Sequence, residues 1–215
     1  MMTGRVSLLA IFWHAPLRPN AECKQHMFMP VVDTRRWTAD EVRSLPDEPG
    51  ARFECVDGEL LVSPSPSLSH QWAVAALFRA LDAYCRAGDI GAVGMAPGDL
   101  QLDDATLVQP DLFVLPFVGG RRPVLPAEIG RALLVAEVLS PTTARYDRVV
   151  KRARYQRYGV EYWIVDLDAR LVERWTPETP RPEIITGTLS WHPANVATAL
   201  PIDLEALFAE ALGER

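Results

Sequence analysis

The 215-residue sequence has only three cysteines and lacks any long apolar run. Cys23, Cys55 and Cys85 contain no CxxC pair, so the sequence offers neither a disulfide framework nor a cysteine zinc site. Reduced thiols of this kind are typical of a cytoplasmic protein. No segment approaches the roughly 20 apolar residues that a membrane helix needs, so we expect no membrane association. Internal repeats are also missing, which excludes solenoids and propellers.

The composition is that of a folded domain, with 48% apolar and 23% charged residues. A net charge of −6 argues against a protein that coats DNA indiscriminately, although a sum over the chain does not describe a local patch. Met27 and Met29 are natural starts directly before the first helix signal. We therefore predict a poorly ordered extension over 1–28 and a single domain over 29–215.

Apolar periodicity and turn residues predict strands that helices interrupt. The predicted helices are 39–45 with Thr38 as cap, 69–88 with Ser67 or Ser69 as cap, 146–159, and 204–212. The predicted strands fall in 52–64 (a hairpin about Asp57-Gly58), 89–102, 108–116, 133–141, 160–177 (a hairpin about Asp168) and 183–193. Segment 119–131 is predicted to be an exposed loop. This order favours an α/β (α+β) fold with one mixed central sheet flanked by helices.

Two apolar strands each carry one acid. Asp111 opens the strand DLFVLP, and Glu137 lies near the end of LLVAEVLS, 26 residues later. Because burying an unpaired carboxylate is costly, both charges need compensation. If the strands are neighbours, the two carboxylates meet at a sheet edge, and Mg²⁺ is the simplest partner for them. The alternative is a salt bridge from Glu137 to Arg145, Arg148 or Lys151.

The helix after this strand places Asp147, Lys151, Tyr155 and Tyr158 on one face. A lysine packed near two carboxylates could stabilise charge on a phosphate or orient a water. An Asp147–Lys151 surface pair is the simpler alternative.

Basic residues outnumber acids by nine to three over 121–158. The basic residues are Arg121, Arg122, Arg131, Arg145, Arg148, Lys151, Arg152, Arg154 and Arg157, and the acids are Glu128, Glu137 and Asp147. Such an excess suits a polyanionic substrate, whereas a solvated basic helix face is the alternative.

Three segments together resemble a known family: RFECVDGELLVSPSPSLSHQ, VQPDLFVLP and LLVAEVLSPTTARYDRVVKRARYQRYGVEYWIVD. They are similar to the Uma-two family of restriction-endonuclease-like proteins, within the PD-(D/E)XK nuclease superfamily, over residues 30–210. The resemblance implies a restriction-endonuclease-like core and phosphodiester hydrolysis with Mg²⁺ or Mn²⁺. It also implies that Asp111 and Glu137, with the carbonyl of Val138, are the metal ligands. The superfamily lysine is expected at Leu139, and its replacement candidate is Lys151.

Further candidates lie in the same segments. Glu59 is either an additional acid near the metal or a solvent-facing hairpin residue. His70, near a helix N-terminus, either contacts phosphate or assists a water, or it is structural. Glu54 is expected to be a strand-surface charge. Tyr155 and Tyr158 either stack on bases or belong to the core.

The resulting hypothesis is a cytoplasmic, metal-dependent endonuclease that acts on nucleic acid, with DNA favoured. The first alternative is a nucleic-acid-binding or regulatory module that does not cleave. The second is a metal-dependent hydrolase of small phosphoesters. Cutting both strands of a duplex takes two sites, which a homodimer would supply.

Overall fold

The computed structural model describes residues 35–124, 128–193 and 196–214. The predicted extension over 1–28 lies outside these ranges, and so does the beginning of the predicted domain. Within the ranges, no helix combines the length and the apolar character that crossing a bilayer requires.

The described residues form twelve strands and five α-helices. The strands are β1 (Ala51–Val56), β2 (Glu59–Pro64), β3 (Gly91–Met95), β4 (Leu100–Asp103), β5 (Thr106–Val108), β6 (Leu112–Pro116), β7 (Leu134–Val138), β8 (Glu161–Asp166), β9 (Leu171–Trp175), β10 (Glu183–Ile185), β11 (Thr188–Trp191) and β12 (Leu200–Asp203). The helices are α1 (Ala39–Arg43), α2 (Leu68–Ala87), α3 (Ala144–Tyr146), α4 (Arg152–Arg157) and α5 (Leu204–Leu212), and a π-helical segment (Asp147–Lys151) joins α3 to α4.

A mixed sheet of six strands in the order β10-β9-β8-β7-β6-β3 forms the centre of the fold. Strands β7 and β8 pair in parallel through the helical crossover, and the other neighbours pair antiparallel. The predicted mixed central sheet flanked by helices is therefore confirmed. Two smaller sheets accompany it, β2-β1-β5-β4 and β11-β12. The predicted single strand over 183–193 is wrong, because it divides into β10 and β11, which belong to different sheets.

Strand alternation distributes the core over the two faces of the central sheet. Leu134, Ala136 and Val138 of β7 belong to the cluster packed with α2 and α5, whereas Val135 belongs to the cluster on the other face, with Tyr155 of α4. Glu137 has the parity of Val135 and therefore lies on the face that the helical crossover covers.

Local signals explain several element boundaries. Thr38 and Glu41 form the predicted capping box of α1. Ser67 accepts a hydrogen bond from the His70 N–H and caps α2, which ends before Gly88 as predicted. The Asp57-Gly58 turn has φ values of 54° and 76°, the left-handed conformation that a two-residue hairpin requires.

Candidate active site

The structure brings the two predicted acids together. Strands β6 and β7 pair Leu112 with Ala136, so Asp111 stands opposite Glu137 one position further along. The Asp111 N–H donates to Glu137 Oε2 at 3.3 Å, and the Val138 N–H donates to Asp111 Oδ2 at 2.9 Å. Both carboxylates are buried. The register of one antiparallel pair therefore creates the centre of the site.

Lys151 provides the direct compensation for Glu137. Its Nζ lies 2.9 Å from Glu137 Oε1, 3.0 Å from Glu54 Oε1 and 3.5 Å from Asp147 Oδ1. The lysine side chain is only 3% exposed, so these are interior contacts. The ion-pair alternative for Glu137 is thus observed with Lys151, and the proposed Asp147–Lys151 pair is buried rather than at the surface.

The helix that carries Lys151 is not regular. Asp147–Lys151 forms a π-helical segment between α3 and α4, where a uniform α-helix was predicted. The periodicity over a single turn does not distinguish a π-helical segment from an α-helix, so the sequence pattern does not reveal it. Asp147 and Lys151 both point into the buried cluster from this segment. Wide turns of this kind are frequent at functional sites.

His70 and Arg52 hold the other acid. His70 Nε2 lies 3.0 Å from Asp111 Oδ2, and Arg52 Nη1 lies 3.2 Å from Asp111 Oδ1. His70 is buried, and its Nδ1 has no hydrogen-bond partner within the described ranges. The first turn of α2 thus carries a side chain that fixes the orientation of Asp111.

Glu54 is one of two site residues that sequence reasoning missed, and Arg52 is the other. The prediction of a strand-surface charge is wrong, because Glu54 is 1% exposed and bonds to Lys151. Its Oε1 also accepts from the Gln109 N–H at 2.8 Å. Strand β1 is covered on both faces, since Cys55 packs towards α1 and Val56 towards the central sheet. The sequence contained one signal of this burial: Val56, two residues after Glu54 and on the same face of the strand, is apolar.

Glu59 is not brought to the cluster. It is exposed at the start of β2 and does not line the cleft described below. Tyr155 is a fully buried core residue, as is the predicted core residue Trp163. Tyr158 is partly buried and donates its hydroxyl to Asp103. None of the three aromatic side chains lines the cleft.

Burial and neighbouring charges separate the pKa values of the carboxyls. Burial raises the pKa of Asp111, but hydrogen bonding and charge from His70, together with Arg52, outweigh it and lower the pKa to about 2. Burial raises the pKa of Glu137 well above its usual value, and Asp111, Asp147 and Glu54 add to this effect against the opposing charge of Lys151. Burial likewise raises the pKa of Asp147.

The cluster has more acids than bases. Four buried carboxylates, from Glu54, Asp111, Glu137 and Asp147, face the two permanent cations Lys151 and Arg52. Leaving His70 aside, the formal charge is −2 when all four acids are ionised. This excess adds to burial, which is the main reason why the pKa of Glu137 is raised despite its ion pair.

The oxygen donors fit a hard divalent cation. Mg²⁺ needs only one or two carboxylates, with waters in the remaining positions. Asp111 and Glu137 supply two adjacent carboxylates, and Asp147 Oδ1 is buried without a hydrogen-bond partner in the described part of the chain. Among all the residues that the structure describes, no group of three or more His, Cys, Asp or Glu side chains is arranged to bind a metal ion by itself. The fit is therefore to a cation with much of its water retained.

A cleft of about 580 Å³ opens onto the cluster. Its lining includes the hydroxyl-bearing residues Ser65, Ser67 and Ser69 before and within the first turn of α2 and Thr142 and Thr143 before α3. The cluster is therefore reachable by a ligand from outside, along walls that offer neutral hydrogen-bonding groups.

Part of the basic excess predicted over 121–158 is paired with acids. Arg148 bonds to Asp166 at 2.7 Å and to Glu173 at 2.6 Å. Arg154 pairs with Asp57, and Arg121 pairs with Glu128. Together with Lys151, four of the nine basic residues thus have carboxylate partners, so the count along the chain overstates the positive charge that is available to a substrate.

Comparison with known proteins bears on the family and the fold of the chain. Residues 39–205 match the model of the Uma2 family, which is described as "Putative restriction endonuclease". The chain belongs to the Uma2 family. The chain also superposes on a solved structure from Anabaena variabilis, which is described as a "putative nuclease belonging to DUF820". The TM-score is 0.64 and the sequence identity is 18%, and the superposition covers 81% of this chain and 99% of that chain. No curated protein matches the chain. The predicted family is confirmed, and so is its fold.

Proposed function

We propose that this Uma2 protein is a metal-dependent endonuclease that hydrolyses phosphodiester bonds in nucleic acid, with DNA favoured. The observation that carries the proposal is the excess of buried carboxylate at the end of a cleft. A purely structural cluster would be expected to balance its charges, because uncompensated buried carboxylates are destabilising. Family membership over 39–205 supports the same function.

Each side chain has a defined role in this proposal. Asp111 and Glu137, with the carbonyl of Val138, would hold Mg²⁺ or Mn²⁺. The chemistry that such a cation supplies is polarisation of the phosphate and a lowered pKa of bound water. Lys151 is close enough to Glu137 to orient that water or to stabilise charge on the phosphate.

Two other side chains position this machinery. His70 holds the Asp111 carboxylate through Nε2, and Glu54 holds the Lys151 ammonium together with Glu137. Glu54 therefore takes the place of the additional acid for which Glu59 was the sequence candidate.

The test is cleavage of supercoiled plasmid and of single-stranded DNA in Mg²⁺, Mn²⁺ or EDTA. Wild type should cut only with a divalent metal, and Glu137→Gln should lose cutting and most metal affinity while it stays folded. Glu59→Gln is the matched control, because it removes an exposed carboxylate outside the cleft. Equal metal binding by wild type and Glu137→Gln in calorimetry would refute the assignment of the ligand.

A metal-dependent hydrolase of small phosphoesters is the second candidate. The pairing of Arg148 and Arg154 with acids favours it, since a small substrate needs no extended basic surface. Turnover of bis(p-nitrophenyl) phosphate or mononucleotides without cutting of any polynucleotide would select it. Metal binding without hydrolysis of either substrate class would select the non-cleaving nucleic-acid-binding module.

The proposed setting is the cytoplasm. Cys55 and Cys85 are free and buried, which agrees with a reducing compartment. For cleavage of both strands of a duplex we propose a homodimer, which sedimentation of the protein with and without duplex DNA would test.

A further inference from the structure

A second cavity adjoins the cleft on the far side of Asp111. Its volume is about 250 Å³, and it shares with the cleft the side chains of Arg52 and Asp111 and the segment 64–66. The Arg52–Asp111 ion pair therefore lies between the cleft and the second cavity. A substrate whose phosphate reaches Asp111 from the cleft would extend its next group towards this second cavity.

The walls of the second cavity differ from those of the cleft. Met95, Val74 and Pro97 supply apolar surface, and Met95 remains 40% exposed in a protein that buries most of its large apolar side chains. Gln71 is exposed at the cavity, and its side-chain amide has no hydrogen-bond partner among the described residues. The amide of Gln109, in contrast, already donates to Asp99 at 2.9 Å.

This combination of groups is suited to a nucleobase. A thioether beside an aromatic ring is a favourable contact, and a free amide supplies both a donor and an acceptor for a base edge. The cavity carries no charge beyond the paired Arg52 and Asp111, so a second phosphate is not the group that it would select.

We propose that the cavity lined by Gln71 and Met95 binds one unpaired base of the substrate, next to the phosphate that is cleaved. The proposal rests on the proposed nuclease function and specifies its substrate as single-stranded nucleic acid, or a strand with a base turned out of the stack. The volume equals that of about eight water molecules at about 30 Å³ each, which accommodates a single base, and an amide that bonds to the edge of this base takes the place of its pairing partner.

The test is fluorescence anisotropy with short oligonucleotides in Ca²⁺, which takes the same type of oxygen ligand as Mg²⁺. A single strand should bind about tenfold more tightly than the matched duplex. An abasic position moved along the strand should weaken binding about fivefold to tenfold at one or two positions, the effect expected for one lost base contact.

Variants connect this effect to the cavity. Met95→Ala and Gln71→Ala should each reduce the affinity for the single strand, and the abasic strand should be insensitive to both changes. Ile184→Ala is the matched control. Ile184 is 55% exposed on β10, the edge of the central sheet opposite to β3, which carries Met95, and it lines neither the cleft nor the second cavity.

The outcomes separate this inference from the proposed function. Equal binding of single strand and duplex, unchanged in both variants, would overturn the inference, and metal-dependent plasmid cutting in the same preparation would leave the nuclease function standing. Base-dependent binding that the variants remove would support the cavity assignment even if no cutting were observed. Failure to bind any oligonucleotide would overturn the cavity assignment.

Discussion

Replacing Lys151 with methionine should strongly destabilise the protein. The substitution keeps most of the side-chain volume and removes the ammonium that contacts Glu54, Glu137 and Asp147. All four residues are at most 3% exposed, so water cannot replace the lost partner without opening the structure. Removing one member of a buried ion pair costs about 3–5 kcal/mol, because a charge stays buried without compensation.

This cost is large relative to the stability of a typical domain, which is about 5–15 kcal/mol. Urea unfolding followed by circular dichroism at pH 7 measures the loss directly. Arg148→Met is the control, because Arg148 lies in the same π-helical segment and has two carboxylate partners but is 37% exposed. A pair of that exposure is worth about 0–1 kcal/mol. If Lys151→Met unfolded within about 1 kcal/mol of wild type, the account of the cluster would be wrong.

The same variant responds to pH with a definite sign. Burial already raises the pKa of Glu137, and loss of Lys151 removes the charge that opposes this shift. A carboxyl group with a higher pKa in the folded than in the unfolded protein contributes its full stability when the pH is below the unfolded pKa. This contribution is lost as the pH rises through the folded pKa. The penalty of Lys151→Met should therefore be smaller at pH 5 than at pH 8.

Two further predictions concern the core. Burial raises the pKa of the Cys85 thiol to about 11, so little thiolate is present at pH 8. Iodoacetamide should therefore label Cys85 only in urea, and peptide mass spectrometry measures this. Labelling of Cys85 in the folded protein would contradict its burial. A Cβ on Gly94 would lie 2.3 Å from the Phe113 ring, so Gly94→Ala should cost about 1–3 kcal/mol in urea unfolding. Gly187→Ala, which meets no atom within 4 Å, is its control and should change stability by less than about 1 kcal/mol.

The centre of the site could be predicted from the sequence because it depends on short-range patterns. The strands that carry Asp111 and Glu137 are strongly apolar, and an apolar strand interrupted by an acid is a conspicuous signal. Once β6 and β7 pair, the register brings the two acids together without help from distant residues. Lys151 followed from the helical spacing in the next element.

The rest depends on long-range packing that no local pattern encodes. Glu54 and Arg52 lie on a strand of a different sheet, and only the packing of that sheet against the crossover brings them to Lys151 and Asp111. Charge counting along the chain does not show this pairing for the same reason, because Arg148 and Arg154 find acids at 166, 173 and 57. Local sequence shows which charges exist, but it does not show which of them are neutralised.

The salt-bridge and metal interpretations of Glu137 are compatible once the whole cluster is considered. Lys151 bonds to Oε1, whereas Oε2 accepts the Asp111 N–H on the side of the other proposed ligand. When all four carboxylates are ionised, Lys151 and Arg52 leave a formal charge of −2, and one divalent cation would cancel it. The lysine therefore keeps the cluster folded without the cation and leaves the charge that the cation would need. On this account, Mg²⁺ should stabilise wild type against urea, and the gain should be smaller in Glu137→Gln, which retains the fold but lacks one ligand charge.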